Sequence, residues 1–335
     1  MPQHDLTERI LRLKQVPTLR ALGAAEIAQL AASMRTRTFE KGDVILREDE
    51  PPRGFFLLVS GTVTMRRKGK RIGTVRGPGG VGFLSFLARN AGGTSCVAET
   101  FIEAYEVLGD AIQEIFEDHF GVTLGTLRWV AGRLLEENRK METPPPFVPP
   151  TDNLDALVGE HELTIVERIF LMRRTRALAP ANVNSLVMMA RAMTEMRVGP
   201  DTTIWRPGAR SDGTIFVVKG MLELRWNEGK TVQVVGPGYV LGGAESLMGA
   251  PRWNELVTTT PCVVLAGSRE AMIDAFEDDH ELALHFLSLL SSFLMSIWDR
   301  KAEAGISSVG GASASEPKLP AESKRDGASA APPAP

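Results

Sequence analysis

Cysteine is nearly absent. The 335-residue chain has two, Cys96 and Cys262, too few for a disulfide scaffold and outside any Cys-x-x-Cys pair that would hold zinc or run redox chemistry. The expected setting is a reduced cytoplasm. An excess of charge is missing too, because 38 Lys and Arg against 41 Asp and Glu leave a formal charge of -3, too balanced for a dedicated nucleic-acid binder. Histidine is sparse, and His4, His119, His161, His280 and His285 fall on terminal, helical or linker segments, so no metal site is expected inside a β-structure. No Ser/His/Asp set, phosphate loop or carboxylate pair stands out, and the expectation is a protein that is not an enzyme. The amino terminus lacks the uninterrupted apolar core of a secretory signal. Only residues 282–298 form a long run without Asp, Glu, Lys or Arg; 17 residues reach the lower limit of a membrane span, and they include His285 and four serines. No membrane span is expected.

What the chain does have is an internal repeat. An offset of 159 places Glu8, Arg9 and Ile10 on Glu167, Arg168 and Ile169, and puts Leu19, Ala31, Met34, Ile45, Arg47, Gly54, Val59 and Gly61 on identical residues. The same offset carries Gly77-Pro78-Gly79 onto Gly236-Pro237-Gly238, and one inserted residue aligns Phe116-Glu117-Asp118 with Phe276-Glu277-Asp278. So long a period indicates two copies of a whole domain rather than a solenoid unit. The expected division is residues 5–142 for the first copy, a Pro-rich linker at 143–159, residues 160–302 for the second copy, and a disordered tail at 303–335. Prolines forbid a helix in the linker, and the tail has too few bulky apolar residues to offset the entropy of ordering.

Each copy changes pattern in the same order. Helical spacing (Leu6, Ile10, Leu13; Ile27, Leu30, Met34) gives way to short β-type runs at 44–46, 55–59, 63–65 and 73–76, separated by Gly42, Gly54, Gly61 and Gly69. After a run near 101–108, helical spacing returns with Ile112, Ile115 and Phe116. Short strands at close spacing predict a small sandwich or barrel. The basic run at 66–71 has Gly69 at its centre and reads as a solvated hairpin tip.

Phe39 to Leu46, Phe56 to Val63 and the Gly-Pro-Gly turn, with their counterparts Thr203 to Gly208, Ile215 to Gly220 and Gly236 to Val240, resemble cyclic-nucleotide-binding domains. Tandem copies look like the regulatory subunits of cyclic-AMP-dependent protein kinase, and single copies resemble the sensor half of catabolite-activator-type transcription factors. The fold this implies is mixed α and β: two tandem β jelly rolls, each flanked by helices. The resemblance also implies a cassette in which a glutamate accepts the ribose hydroxyl and an arginine pairs the phosphate at the start of a short helix. In the second copy this maps to Gly242, Gly243, Ala244 and Glu245, then Arg252 and Trp253. Arg252 matches the phosphate arginine, Gly243 stands at the glutamate position, Glu245 lies two residues late, and Glu255 adds a negative charge near the phosphate position. In the first copy Phe83 replaces the glutamate and Gly92 the arginine.

The implied function is a cytoplasmic, non-enzymatic regulator. It would sense cyclic AMP or cyclic GMP through the second copy and act on a protein partner. The rival is an assembly scaffold with both pockets vestigial. The apolar run 282–298 is the expected surface for a protein partner or a homodimer, with the other copy in the same chain as the alternative occupant. No DNA partner is expected, since residues after Lys301 leave no room for a helix-turn-helix. Brief proteolysis is expected to cut first within 143–160 and after about residue 303, as mass spectrometry of the fragments will report; early cuts within 55–110 would refute the barrel assignment.

Overall fold

The computed structural model describes residues 3–16, 19, 22–89, 93–144, 158–304 and 309–310. The first copy opens with α1 (Gln3–Lys14) and α2 (Ala24–Ser33). Six strands follow: β1 (Arg35–Phe39), β2 (Val44–Leu46), β3 (Gly54–Ser60), β4 (Thr62–Arg67), β5 (Lys70–Arg76) and β6 (Gly79–Val81). The short helix α3 (Phe83–Ala88) precedes β7 (Ser95–Ala98) and β8 (Ile102–Leu108), and α4 (Gly109–Asp118) and α5 (Phe120–Arg139) close the copy.

The second copy repeats this order element by element. Helices α6 (Ile165–Arg173) and α7 (Val183–Ala192) lead into β9 (Thr194–Val198), β10 (Thr203–Trp205), β11 (Gly213–Lys219), β12 (Leu222–Trp226), β13 (Thr231–Val235) and β14 (Val240–Leu241). Then come α8 (Gly243–Met248), β15 (Glu255–Thr258), β16 (Cys262–Ser268), α9 (Arg269–Asp278) and α10 (His280–Glu303), with β17 (Val309–Gly310) beyond them. Strand order is β1-β8-β3-β6 and β2-β7-β4-β5 in one copy, β9-β16-β11-β14 and β10-β15-β12-β13 in the other. Each copy is thus an eight-stranded jelly roll of two antiparallel sheets. Strand β1 carries no sequence signal of its own, because Arg35 to Thr38 are all exposed and show no alternation.

The repeat identities have a structural cause. Arg9 is 2% exposed and donates from Nη1 to Met34 O at 2.6 Å and Ala31 O at 3.4 Å. Its counterpart Arg168 makes the same bonds to Met193 O at 2.7 Å and Ala190 O at 3.1 Å. In both copies a buried arginine satisfies carbonyls at the end of the second helix, where helix geometry leaves them without partners.

The copies are joined by exchanged helix contacts. Helix α5 of the first copy packs on α8 of the second, while α10 of the second packs on α3 and β5 of the first, and α5 and α10 pack on each other. Equivalent positions serve equivalent roles. Arg128 Nε donates to Leu247 O at 3.2 Å at the end of α8, and Ser288 Oγ donates to Ala88 O at 2.9 Å at the end of α3. At the β4–β5 hairpin Arg67 grips Asp299 of α10, and its repeat counterpart Trp226 donates from Nε1 to Met141 O at 2.9 Å, just beyond α5. One buried apolar cluster consequently runs from Leu13 to Ala302 through both copies, and a second, from Trp205 to Val264, fills the second barrel.

Two expectations change. The run 282–298 is covered by the first copy rather than presented to another protein: Leu284, Leu287, Leu294, Ile297 and Trp298 are all buried within the chain. Helix α10 is long and apolar enough to cross a membrane, but 61% of its apolar window is buried inside the fold, against the first copy and against α9 of its own, which accounts for its composition. The basic hairpin is not wholly solvated, since Arg67 is 5% exposed and forms two bonds to Asp299, at 2.5 and 3.1 Å. Of the linker, 145–157 lie outside the described residues, as does the expected disordered tail apart from Glu303, Ala304 and Val309–Gly310. Glu303 ends α10, and Val309–Gly310 pairs in parallel with Gly73 and Thr74, on backbone groups that the edge of β5 leaves open.

The Arg67–Asp299 pair gives a test. Burial pushes the Asp299 carboxyl up, but hydrogen bonds and charges from Arg67 and Lys68 outweigh it and hold it below its ordinary value. A depressed carboxylate contributes its full stability above its ordinary value, so this contribution begins to fall below about pH 4 and is gone once pH has passed the lower folded value. Asp299→Ala removes the carboxylate that pairs the buried Arg67 guanidinium and should cost about 2–3 kcal/mol, read by denaturant melts at pH 7. The difference between variant and parent should vanish at low pH.

Candidate functional site

The second-copy cassette begins where β14 ends. Gly242 turns the chain with φ +78°, a left-handed conformation that suits glycine, and α8 starts at the next residue. A Cβ at Gly242 would also run into the Arg252 guanidinium. At Gly243 the space is open: the nearest atom to a Cβ built there would be Thr214 Cγ2 at 3.8 Å. The carboxylate that the family resemblance places at this position is missing, and nothing fills its place.

Arg252 is drawn inward and is 5% exposed. Its Nη2 donates to Gly213 O at 2.6 Å and its Nη1 to Gly242 O at 3.0 Å, while the guanidinium lies 4.2 Å from the centre of the Trp205 ring. Trp205 is fixed in turn by its Nε1 bond to Asn254 Oδ1 at 3.0 Å. Planar stacking plus carbonyl acceptors holds a buried guanidinium without a bidentate acid. Burial lowers the pKa of Arg252, with Glu245 and Asp212 pulling the other way.

Glu245 did not slide toward the Gly243 position. It is inside α8 and 5% exposed; burial raises its pKa against the opposing pull of its own backbone N–H, Arg252, the Trp253 side chain and Arg139. Arg139 belongs to the first copy, so this carboxyl faces the contact between the copies. Ala244 packs against the apolar cluster, and Trp253 sits with its ring 5.2 Å from that of Trp226. Glu255 lies at the start of β15, 4.0 Å from Arg206. The structure therefore gathers Gly242, Arg252 and the start of α8 into one site, with the buried Glu245 between Arg252 and Arg139 of the first copy and Trp253 against Trp226. Trp205, Gly213 and Asn254 join that site as well; Trp205 and Gly213 stand in repeat and motif segments and Asn254 follows Arg252 closely, but nothing in the sequence says that they converge on the guanidinium.

The first-copy cassette is filled by apolar side chains. Gly82 makes the same left-handed turn at φ +92°, but Phe83 then packs 4.9 Å from Phe55 and 5.9 Å from Trp129. Gly92 lies outside the described residues. An arginine does reach this loop, but from β4: Arg67 Nη1 donates to Gly93 O at 2.7 Å and the rest of its fork is committed to Asp299. A separate cavity in the second copy, lined by Met189, Met193, Phe216, Met272, Phe276 and Phe286, lies between the barrel and helices α7, α9 and α10. Phe216 points there while its neighbours Ile215 and Val217 point into the barrel, so this apolar space is distinct from the Arg252 site.

Comparison with known proteins gives two kinds of result. The family model described as cyclic nucleotide-binding domain matches residues 36–119 and again residues 195–279, together just over half of the chain. No curated protein matches the sequence. Among solved structures, the regulatory domain of Toxoplasma gondii PKA, crystallised with cAMP, shares 14% identity over 91% of this chain and 98% of that one, with a TM-score of 0.33. The regulatory subunit of a cAMP-independent protein kinase A from Trypanosoma brucei shares 13% over 84% and 90%, TM-score 0.32. The sensor domain of the transcriptional regulator DNR from Pseudomonas aeruginosa shares 17% over 37% and 90%, TM-score 0.35.

The two adjacent glycines should respond differently to substitution. Gly242→Ala meets both an unfavourable φ and the Arg252 side chain and should lose about 1–2 kcal/mol or more in chemical denaturation. Gly243→Ala, at an open position with ordinary backbone geometry, should be neutral within about 0.5 kcal/mol. Equal losses would contradict this geometry.

Proposed function

The chain belongs to the cyclic nucleotide-binding domain family through both of its copies, and from that premise we propose that it is a cytoplasmic, non-enzymatic regulator whose second copy takes the phosphate of cyclic AMP or cyclic GMP. The observation that carries this reading is Arg252: a buried guanidinium near the start of α8, hydrogen-bonded to two backbone carbonyls and set over an indole face, with the Glu245 and Asp212 charges near it but no ion pair to either. Each carbonyl bond is a neutral-acceptor bond, whereas a phosphate offers a charge-assisted pair roughly twice as strong. Exchange of Gly242 O and Gly213 O for the ligand's oxygens is therefore favourable for the arginine and frees the loop before α8. Neither Phe83 nor the committed Arg67 offers the first copy such an exchange, which leaves it as a platform.

Transmission follows from the packing. Helix α8 is tied to α5 through Arg128 and Leu247 O, and α10 is tied to the first copy through Arg67–Asp299 and Lys301–Glu137. A ligand that repositions α8 must shift the balance of these contacts, and a protein partner would read the resulting arrangement of the two copies. The scaffold reading rests on the missing carboxylate at Gly243 and on the donors of Arg252 that the protein already occupies.

Thermal melting of the full chain with each nucleotide separates the two. At about a hundred times its dissociation constant a ligand should stabilise the second copy by about 2.7 kcal/mol. Arg252→Gln should abolish the shift, Thr94→Ala in the first copy should leave it unchanged, and Gly243→Glu should enlarge it by restoring the ribose acceptor. If millimolar cyclic AMP and cyclic GMP leave the melt of the parent protein unmoved, the sensor reading fails and the scaffold reading stands.

A further inference from the structure

Two arginines converge on the other end of α8 with no acid between them. Arg128 comes from α5 of the first copy and reaches Leu247 O. Arg269 opens α9 of the second copy, and its Nη1 lies 3.4 Å from where a Cβ on Gly249, the residue capping α8, would stand. Neither forms an ion pair among the described residues, and Arg269 Nε is buried without a hydrogen-bond partner. The neighbouring acids are engaged elsewhere: Asp212 lies 4.0 Å from Arg210, and Glu245 accepts from the Trp253 side chain.

Capping the short helix does not explain this much charge. The equivalent position to Arg128 is Ser288, whose neutral hydroxyl caps α3 in the other half of the molecule, and the equivalent of Arg269 is Gly109. Each guanidinium has five N–H donors in a planar fork, and a single carbonyl uses one of them. Burial first, and the charge of Arg269 second, push the Arg128 pKa down, which is the signature of like charges sharing a partly dry site. Paired forks without a carboxylate match an oxyanion with several acceptor oxygens.

We propose that Arg128 and Arg269 form a binding site for a doubly charged phosphate group, free or carried as a monoester by a small molecule, distinct from the Arg252 site and complete only when the two copies are docked. The bound anion would bridge α5 to α9 across the end of α8 and so favour the docked arrangement.

The test is calorimetric titration of the full chain with inorganic phosphate and, separately, glycerol phosphate, at ionic strength matched with chloride. Saturable binding of either is expected, and the tighter of the two identifies free phosphate or a monoester as the source. Arg269→Gln removes no existing hydrogen bond of the side chain to the protein, so it should fold normally and weaken binding roughly tenfold or more. Arg128→Gln should do the same, whereas Arg37→Gln, in an exposed pair with Glu106 on the first copy's sheet, should leave phosphate affinity unchanged. The proposal is overturned if neither phosphate binds above the chloride control, if Arg269→Gln binds as the parent does, or if cyclic AMP competes with phosphate. Since Arg269→Gln is expected to lose phosphate and keep the nucleotide-dependent shift in melting, failure here is distinguishable from failure of the nucleotide reading.

Discussion

The mutual packing of α5 and α10 governs the rest of this molecule. Each long helix leaves its own barrel, lies along the other, and closes the far copy's cassette helix with a side chain at an equivalent position, Arg128 in one case and Ser288 in the other. Neither helix buries its apolar surface against its own barrel alone. The result is a single chain with approximate two-fold logic, in which one apolar cluster belongs to both copies. At roughly 25 cal/mol per Å² of apolar surface, helices of this length with so many buried Leu, Ile, Met and Trp side chains hold the copies together by burial. The ion pairs Arg67–Asp299 and Lys301–Glu137 fix the register, because misplacing either would leave a charge buried without its partner.

Within that shared frame the two cassettes have diverged in opposite directions. In the first, Phe83 joins Phe55 and Trp129, and the arginine present is locked to the opposite copy's α10. In the second, Arg252 rests on carbonyls and on Trp205, a polar arrangement that an anion can exchange into. The difference is one of desolvation: filling a pocket with aromatic rings removes it as a polar site, whereas parking a cation on backbone oxygens keeps its charge available. The asymmetry leaves one cassette apolar and one polar, with α8 touched by both copies.

Several of these features are legible in the amino-acid sequence. Glycine and apolar registers mark the two copies, and the Gly242 and Gly82 turns stand at the start of the cassette helices where the motif places them. Arg9 and Arg168 show as identities between the copies, though their role as buried caps follows only from the fold. The hairpin at 66–71 is legible from Gly69, while the burial of Arg67 is not, because a sequence cannot show that Asp299 lies across from it 232 residues later. Glu245 is the same lesson in reverse: its spacing hints at a substitute ligand, and packing buries it within reach of both Arg252 and Arg139 of the other copy.

The sequence by itself determined the local parts: the strand runs, the helix faces, the left-handed glycine turns and the loss of an arginine and a glutamate from the first cassette. These depend on periodicity and on conformational limits of single residues, which act over a few positions. Only the tertiary structure decided which surfaces meet. The apolar helix 282–298 satisfies the same hydrophobic demand against a foreign protein or against its own chain, and burial is indifferent to which. The choice was made by shape and by the few charges, Arg67, Asp299, Glu137 and Lys301, whose desolvation is tolerable in one docked arrangement.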